Sequence, residues 1–374
     1  MSANEGKTIQ EGRRPVVGLA CNEDIRARYI DSADVTRLET FAKFIYQPFN
    51  ARTTLREVVR DESAENALGK FCKEVDALVV CHGAPFLSDQ ALRKAPRLGF
   101  VGELEGDRFG NRIELESALE RGVVVVDTTH GSSWPTAEWA LALIMIGLRN
   151  AGALFRRLIS GDDPYPMGRA SRHLDRGYSR AELSGKHIGL LGFGHAAWRL
   201  VELLAPFGVD IVAYDPYAAR DLASAYGIAF ATLERVLDAD VVVCLLPLTP
   251  GTEHLIGARE LDRLRPESVF VNVSRGRVVD SAALAARIER DDIVACLDVF
   301  DPEPFPLNSP LLRRENVFVT PHIAGVTAES RTRFFGLMVD ELARYFQGCE
   351  PQNPLTARIA HLRNRGNDIR APSV

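Results

Sequence analysis

The segment GKHIGLLGFGHAAWRLVELLAPFGVDIVAYDPY, residues 185–217, restricts the fold more than any other part of the chain. An apolar run, His187–Leu191, meets the turn Gly192-Phe193-Gly194-His195-Ala196-Ala197. A helical pattern follows to about Pro206, and a second apolar run ends at Asp215. Strand, glycine turn, helix and strand in that order form a βαβ unit with parallel strands. Gly192 permits the tight turn, Gly194 lets the backbone approach a ligand, and the small Ala197 allows close helix–strand packing. Amide groups at Gly194, His195 and Ala196 would then face phosphate oxygens at the positive end of the helix. Asp215, twenty-one residues beyond Gly194, is placed to accept hydrogen bonds from ribose hydroxyls. Its charge would repel a 2′-phosphate, so the pattern predicts an NAD site in preference to NADP.

The same alternation runs through most of the chain. Strands are expected at Val16–Ala20, Phe44–Tyr46, Ala77–Val80, Gly99–Gly102 and Val123–Asp127, with helices at Thr54–Cys72, Ser88–Lys94 and Glu114–Arg121. A second series starts at Lys186 with strands His187–Leu191, Asp210–Tyr214 and Val241–Leu245. Between the series, Ser133 and Pro135 open a helix that is apolar all round from Trp139 to Leu148, which predicts burial on every side. Phe334, Phe335, Met338, Leu342, Tyr345 and Phe346 recur at helical spacing, and Gly348 is a stop. This late helix is expected to return to the first domain. The predicted fold class is α/β with two parallel-sheet domains. A Rossmann NAD-binding domain, 151–326, is inserted into a discontinuous flavodoxin-like domain, 1–150 and 327–374.

Composition narrows the class. With 46% hydrophobic residues and a formal charge of −5, the chain shows no bias toward nucleic acid or anionic membranes. The N-terminal MSANEGKTIQEGRRP has no apolar signal core, and Trp139–Leu148 is too short to span a bilayer. None of the six cysteines forms a CxxC pair, which fits reduced thiols and a cytoplasmic location. The irregular Gly152–Ser184, with Arg156, Arg157, Arg169, Arg172 and Arg176, reads as a solvated connector or as a contact with a second copy. A homodimer is the expected assembly.

Three further apolar runs, Val269–Val271, Ile293–Leu297 and Val317–Thr320, are each followed by polar or turn-forming residues. In an open parallel sheet such ends face the crevice where ligands bind. Arg275, Glu303 and His322 lie there. His322 suits proton transfer. A carboxylate beside an imidazole favours its protonated form, and Glu303 is the candidate. Arg275 offers a planar fork to a carboxylate or an α-keto acid.

CLLPLTPGT (Cys244–Thr252), NVSRG (Asn272–Gly276), LDVFDPEP (Leu297–Pro304) and TPHIAG (Thr320–Gly325) together resemble the D-isomer-specific 2-hydroxyacid dehydrogenase family, from about Ala77 to Gly348. The resemblance implies that Arg275 binds the substrate carboxylate and carbonyl, Glu303 pairs with His322, and His322 is the general acid/base. It places Asp298, the backbone around Val273 and Ser274, and the segment His322–Gly325 at the nicotinamide end of the cofactor. Pro247 and Thr249 or Thr252 would line the cofactor cleft. The glutamate at Glu303 resembles the hydroxyacid branches, whereas formate dehydrogenase has glutamine there. The implied activity is hydride transfer between NAD and a small D-2-hydroxy or 2-keto acid. A non-enzymatic NAD-responsive binding protein, like the corepressors of this fold, is the alternative. No basic DNA-binding element favours that alternative.

Departures from the family are concentrated in a few places. Ala196-Ala197 replaces the usual Ile-Gly and is followed by the bulky Trp198, and Trp134-Pro135 replaces smaller residues. Gly102–Arg112 reads GELEGDRFGNR, where the family commonly has a glycine-rich loop that meets the substrate carboxylate. Glu103, Glu105 and Asp107 could point to solvent or pair with Arg108 and Arg112, or Glu103 or Glu105 could read a substrate carrying hydroxyls or a cation. At Cys81-His82-Gly83, backbone contact of Gly83 with substrate is expected. No metal is expected, since no further ligands are spaced for zinc.

Overall fold

The computed structural model describes residues 13–52, 58–106, 111–163 and 181–359. The expected loose N-terminus lies largely outside them, as do the middle of the 102–112 loop, most of the arginine-rich connector and most of the C-terminal tail. Two compact units divide the chain: one runs to Ser132 and resumes at Thr327, and the other spans Ser133–Val326.

The first unit is built from β1 (Val16–Cys21), α1 (Glu23–Tyr29), α2 (Ser32–Leu38), β2 (Lys43–Pro48), α3 (Glu62–Phe71), β3 (Ala77–Val80), α4 (Asp89–Arg93), β4 (Phe100–Glu103), α5 (Leu115–Glu120) and β5 (Val124–Asp127). Its strands pair in parallel in the order β2-β1-β3-β4-β5. This order reverses between β1 and β3, the flavodoxin-like arrangement. Both faces are covered. Leu78 and Val80 pack with Leu68, Leu87 and Leu92, while Ala77 and Val79 pack with Leu19, Phe100 and Phe335. Burial on both sides makes these strands continuous apolar runs, which is why the sequence shows them. The helices α1 and α2 were not legible in the sequence. They are short and start on side-chain caps: Asn22 accepts from Ile25 N at 2.8 Å and Asp31 from Ala33 N at 2.7 Å.

The second unit holds α6 (Ser133–Arg149), α7 (Ala151–Ser160), β6 (His187–Leu191), α8 (His195–Leu204), β7 (Asp210–Tyr214), α9 (Asp221–Tyr226), β8 (Ala229–Phe230), α10 (Leu233–Leu237), β9 (Val241–Cys244), α11 (Ala258–Leu261), β10 (Val269–Asn272), α12 (Ser281–Glu289), β11 (Val294–Leu297) and β12 (Val317–Val319). All strands are parallel, in the order β12-β11-β10-β9-β6-β7-β8, which is the Rossmann arrangement with its reversal between β6 and β9. Alternate residues again serve two cores. Val243 and Val271 face one, and Val242 and Phe270 face the other.

One expected boundary is corrected. The first unit ends at Ser132, not near residue 150. The apolar helix α6 belongs wholly to the second unit: Ala140, Leu143, Ile144 and Leu148 share a core with Val269, Val271 and Cys296. It lies between α8 and the sheet, but the expected burial on every side is not met, because Met145 is exposed. The late helix α13 (Ala328–Phe346) packs in the first unit, where Phe334, Phe335, Met338 and Leu342 join the core. Among the described residues no single helix is long and apolar enough to cross a membrane.

Candidate active site

At the carboxyl end of β6 the chain turns through Gly192 at φ +92°. An added Cβ there would lie 3.0 Å from Leu245 O and 3.1 Å from Leu246 N, the backbone leaving β9. The turn therefore sits at the sheet's switch point and requires glycine. Gly194 caps α8 with extended backbone, and Gly194, His195 and Ala196 stay partly accessible while Ala197 is fully buried. Asp215 locks the loop: it accepts from Phe193 N at 2.9 Å, Tyr217 N at 2.8 Å and Ala218 N at 3.0 Å. Trp198 does not block the turn, because its indole donates to Phe193 O at 3.0 Å and stacks on Tyr226. A glycine cradle that a Cβ would fill, an open helix start and an acid at the next strand end fit a dinucleotide. Trp134 lies under the Arg199 guanidinium, 4.5 Å from it.

The loop after β9 is tied internally. Thr252 Oγ1 donates to Pro247 O at 2.6 Å, and Thr249 N donates to Thr252 Oγ1 at 2.8 Å. After β10, Asn272 Oδ1 accepts from Ser274 N at 3.1 Å and Ser274 Oγ at 3.0 Å, while Val273 and Ser274 are nearly buried. This turn carries Arg275, partly buried, whose guanidinium donates to Ser274 O at 2.7 Å. The following Gly276 has no room for a Cβ, because the backbone of Phe300 occupies that place. Arg275 and the loop leading to Glu303 are thereby held against each other.

After β12 the backbone turns sharply, and His322 adopts φ +53°. Its N–H donates to Asp298 O at 2.9 Å and to Thr320 O at 3.0 Å. The ring Nδ1 meets Glu303 Oε1 at 2.5 Å, with side chains 37% and 25% exposed. A carboxylate can only accept, so Nδ1 carries the proton and Nε2 is the nitrogen that can exchange one with a ligand.

Asp298 requires a correction. It was expected at the nicotinamide end, yet it is fully buried. Its carboxylate accepts from Thr320 Oγ1 at 2.5 Å, Ile323 N at 3.0 Å and Ala324 N at 2.8 Å. It anchors the loop 320–325 through Thr320, Ile323 and Ala324. Thr320, which the sequence reading did not single out, also accepts from Trp139 Nε1 at 3.2 Å.

In the first unit, Gly83 lies just past β3 at φ +90°, and a Cβ there would press on Asn22 N and Phe49 O at 2.7 Å. Glu103, expected as a substrate ligand, is fully buried and paired with the buried Arg112 at 2.7 Å, which removes it from substrate contact. Arg112 also donates to Glu105 O at 2.8 Å and to His82 Nδ1 at 2.6 Å. His82 Nε2 reaches Glu105 Oε2 at 3.2 Å, and Tyr29 OH donates to the same oxygen at 2.8 Å. Burial disfavours the Glu105 carboxylate, but His82, Tyr29 and Arg112 outweigh it and hold it below the ordinary range. The sequence showed His82 and the acids but not Tyr29, 76 residues from Glu105 along the chain.

Among the described residues no cluster of His, Cys, Asp or Glu could hold a metal. Burial pushes the thiols of Cys72 and Cys296 up to about 12 and that of Cys81 higher still, so none is an activated nucleophile.

Comparison with known proteins agrees with this geometry. Residues 149–324 match the family described as D-isomer specific 2-hydroxyacid dehydrogenase, NAD binding domain. A glyoxylate reductase of Aeropyrum pernix is 33% identical over 313 residues, covering 81% of this chain and 89% of the relative. A D-3-phosphoglycerate dehydrogenase of Methanocaldococcus jannaschii is 30% identical over 306 residues, 79% of this chain, and the match spans 54% of that longer protein. Among solved structures, D-mandelate dehydrogenase of Rhodotorula graminis superposes with a TM-score of 0.74 at 23% identity, covering 92% of this chain and 98% of that one, which shows a shared fold. The glycine turn, the Asn272–Gly276 turn and the His322 loop thus stand in a chain similar over most of its length to these enzymes, and it belongs to the D-isomer-specific 2-hydroxyacid dehydrogenase family.

Proposed function

We propose that His322 is the general acid/base in the interconversion of a 2-keto acid and its D-2-hydroxy acid. The observation that carries this reading is the 2.5 Å contact between His322 Nδ1 and Glu303, which leaves Nε2 to exchange the proton. The dinucleotide, when bound, supplies or accepts the hydride. Arg275 orients the acid through its carboxylate and carbonyl oxygens, and Glu303 stabilises the imidazolium formed on oxidation. The non-enzymatic NAD-responsive alternative gains no support from the relatives. Oxidation of NADH and NADPH with a panel of 2-keto acids tests the reading, and absence of turnover with every pair would refute it.

Asp215 supports NAD as the preferred cofactor. The ratio of kcat/KM for NADH over NADPH should exceed about tenfold, because a 2′-phosphate near this carboxylate meets like charge. Asp215→Ser should shrink that ratio by about tenfold. A wild-type preference for NADPH would overturn the argument.

A homodimer is supported by α7. Arg156 and Arg157 on one side bind Leu312 O, Arg314 O, Val317 O and Glu315. Phe155, Leu158 and Ile159 on the other are 62, 59 and 67% exposed. An apolar face of this kind suits a second copy. Light scattering should give a dimer for the wild type and a monomer for Leu158→Glu. A monomeric wild type would end this proposal. The six unpaired cysteines support a reducing compartment, and the cytoplasm is the proposed location.

A further inference from the structure

The loop that carries His322 leaves β12, which is three residues long and the outermost of the described strands in its sheet, paired with β11. The position of the imidazole therefore depends on what fixes the two ends of this short strand. At its start, Arg156 of α7 donates to Val317 O at 3.1 Å. Just past its end lies Thr320, and there the tie comes from α6, where Trp139 Nε1 donates to Thr320 Oγ1 at 3.2 Å. His322 sits at φ +53°, a state that a residue with a side chain keeps only where its surroundings over-determine it.

The direction of each bond in this tie is determined. An indole nitrogen only donates, and a carboxylate only accepts. The Thr320 hydroxyl between them accepts from Trp139 and gives its one proton to Asp298 Oδ1, 2.5 Å away. The same carboxylate accepts from the amides of Ile323 and Ala324, which follow His322 directly. Each bond in such a chain polarises the next, so the indole strengthens the grip of the carboxylate on the loop. The support is firm, because Ala140, Leu143 and Ile144 of α6 are fully buried and Trp139 packs against the same core. One turn earlier α6 places Trp134 against Arg199 of α8, the helix that opens at the glycine turn. A single helix thus braces both the phosphate cradle and the loop of the proton donor.

We infer that Trp139 is a positioning residue for proton transfer at His322, acting through the hydroxyl of Thr320. The inference rests on the acid/base reading of His322 given above.

Trp139→Phe keeps an aromatic ring and removes the N–H. The assay uses NADH with whichever of glyoxylate, hydroxypyruvate and 2-oxobutyrate turns over fastest. The variant should lower kcat about tenfold, as a small displacement of a reacting group does, while the Kd of NADH stays within about threefold. In a Thr320→Val background the same replacement should change kcat by less than about twofold, since the indole has no hydroxyl left to meet. Thr320→Ser restores a hydroxyl, and the sensitivity to Trp139→Phe should return with it. A second measurement needs no turnover. The chain has three tryptophans, so the isotope-labelled indoles of the cofactor-free protein give three N–H signals in its NMR spectrum. Thr320→Val should move the signal that Trp139→Phe deletes and leave those of Trp134 and Trp198 in place. An unmoved signal, a kcat within about twofold of wild type for Trp139→Phe, or equal losses in the wild-type and Thr320→Val backgrounds would overturn this inference alone. Silence toward every 2-keto acid with both nicotinamides would overturn the underlying functional reading and this inference with it.

Discussion

His322→Asn should lower kcat by about 10²–10⁴-fold while leaving NADH binding and the KM of the keto acid within a few-fold. Asparagine is the informative replacement because it tolerates the left-handed backbone that His322 adopts at φ +53°. The variant keeps the loop and removes the transferable proton. Steady-state kinetics and NADH fluorescence titration separate the two effects. Glu303→Gln should produce a smaller loss, because the ring stays in place beside a neutral acceptor. A kcat within about tenfold of wild type for His322→Asn would show that another group moves the proton.

How much of this was readable in the sequence depends on whether a feature is local. The glycine turn, Arg275, Glu303 and His322 each follow a short apolar run, and buried parallel strands make such runs conspicuous. Their placement needed only strand ends. Glu103 and Glu105 show the opposite case. They are two residues apart in one acidic loop, yet one is buried against Arg112 and the other faces His82 and Tyr29. Nothing local distinguishes them, because the distinction is made by residues from α1 and the end of β3. The boundary near residue 150 was misread for a related reason. The helix α6 is apolar on every side, and periodicity alone does not say which sheet it covers.

Asp298 is the residue whose expected role changed most, and its replacement discriminates between the two roles. As an anchor, its carboxylate serves Thr320 Oγ1 and the amides of Ile323 and Ala324, all in the loop that carries His322. Asp298→Asn keeps the volume but turns one acceptor oxygen into an amide donor, which then faces another donor. Loss of one charge-assisted bond with a buried N–H left unpaired costs about 3 kcal/mol. For a unit of this size that corresponds to a fall in apparent Tm of about 6–12 °C, read by calorimetry on the cofactor-free protein. The loop also sets the position of the imidazole, and a displacement near 1 Å lowers kcat by about a hundredfold. A direct cofactor ligand behaves differently: its loss weakens NADH binding and leaves the cofactor-free melt unchanged. A lowered melt with kcat reduced and NADH affinity nearly retained identifies the anchor. An unchanged melt with NADH affinity lost would return Asp298 to the nicotinamide end.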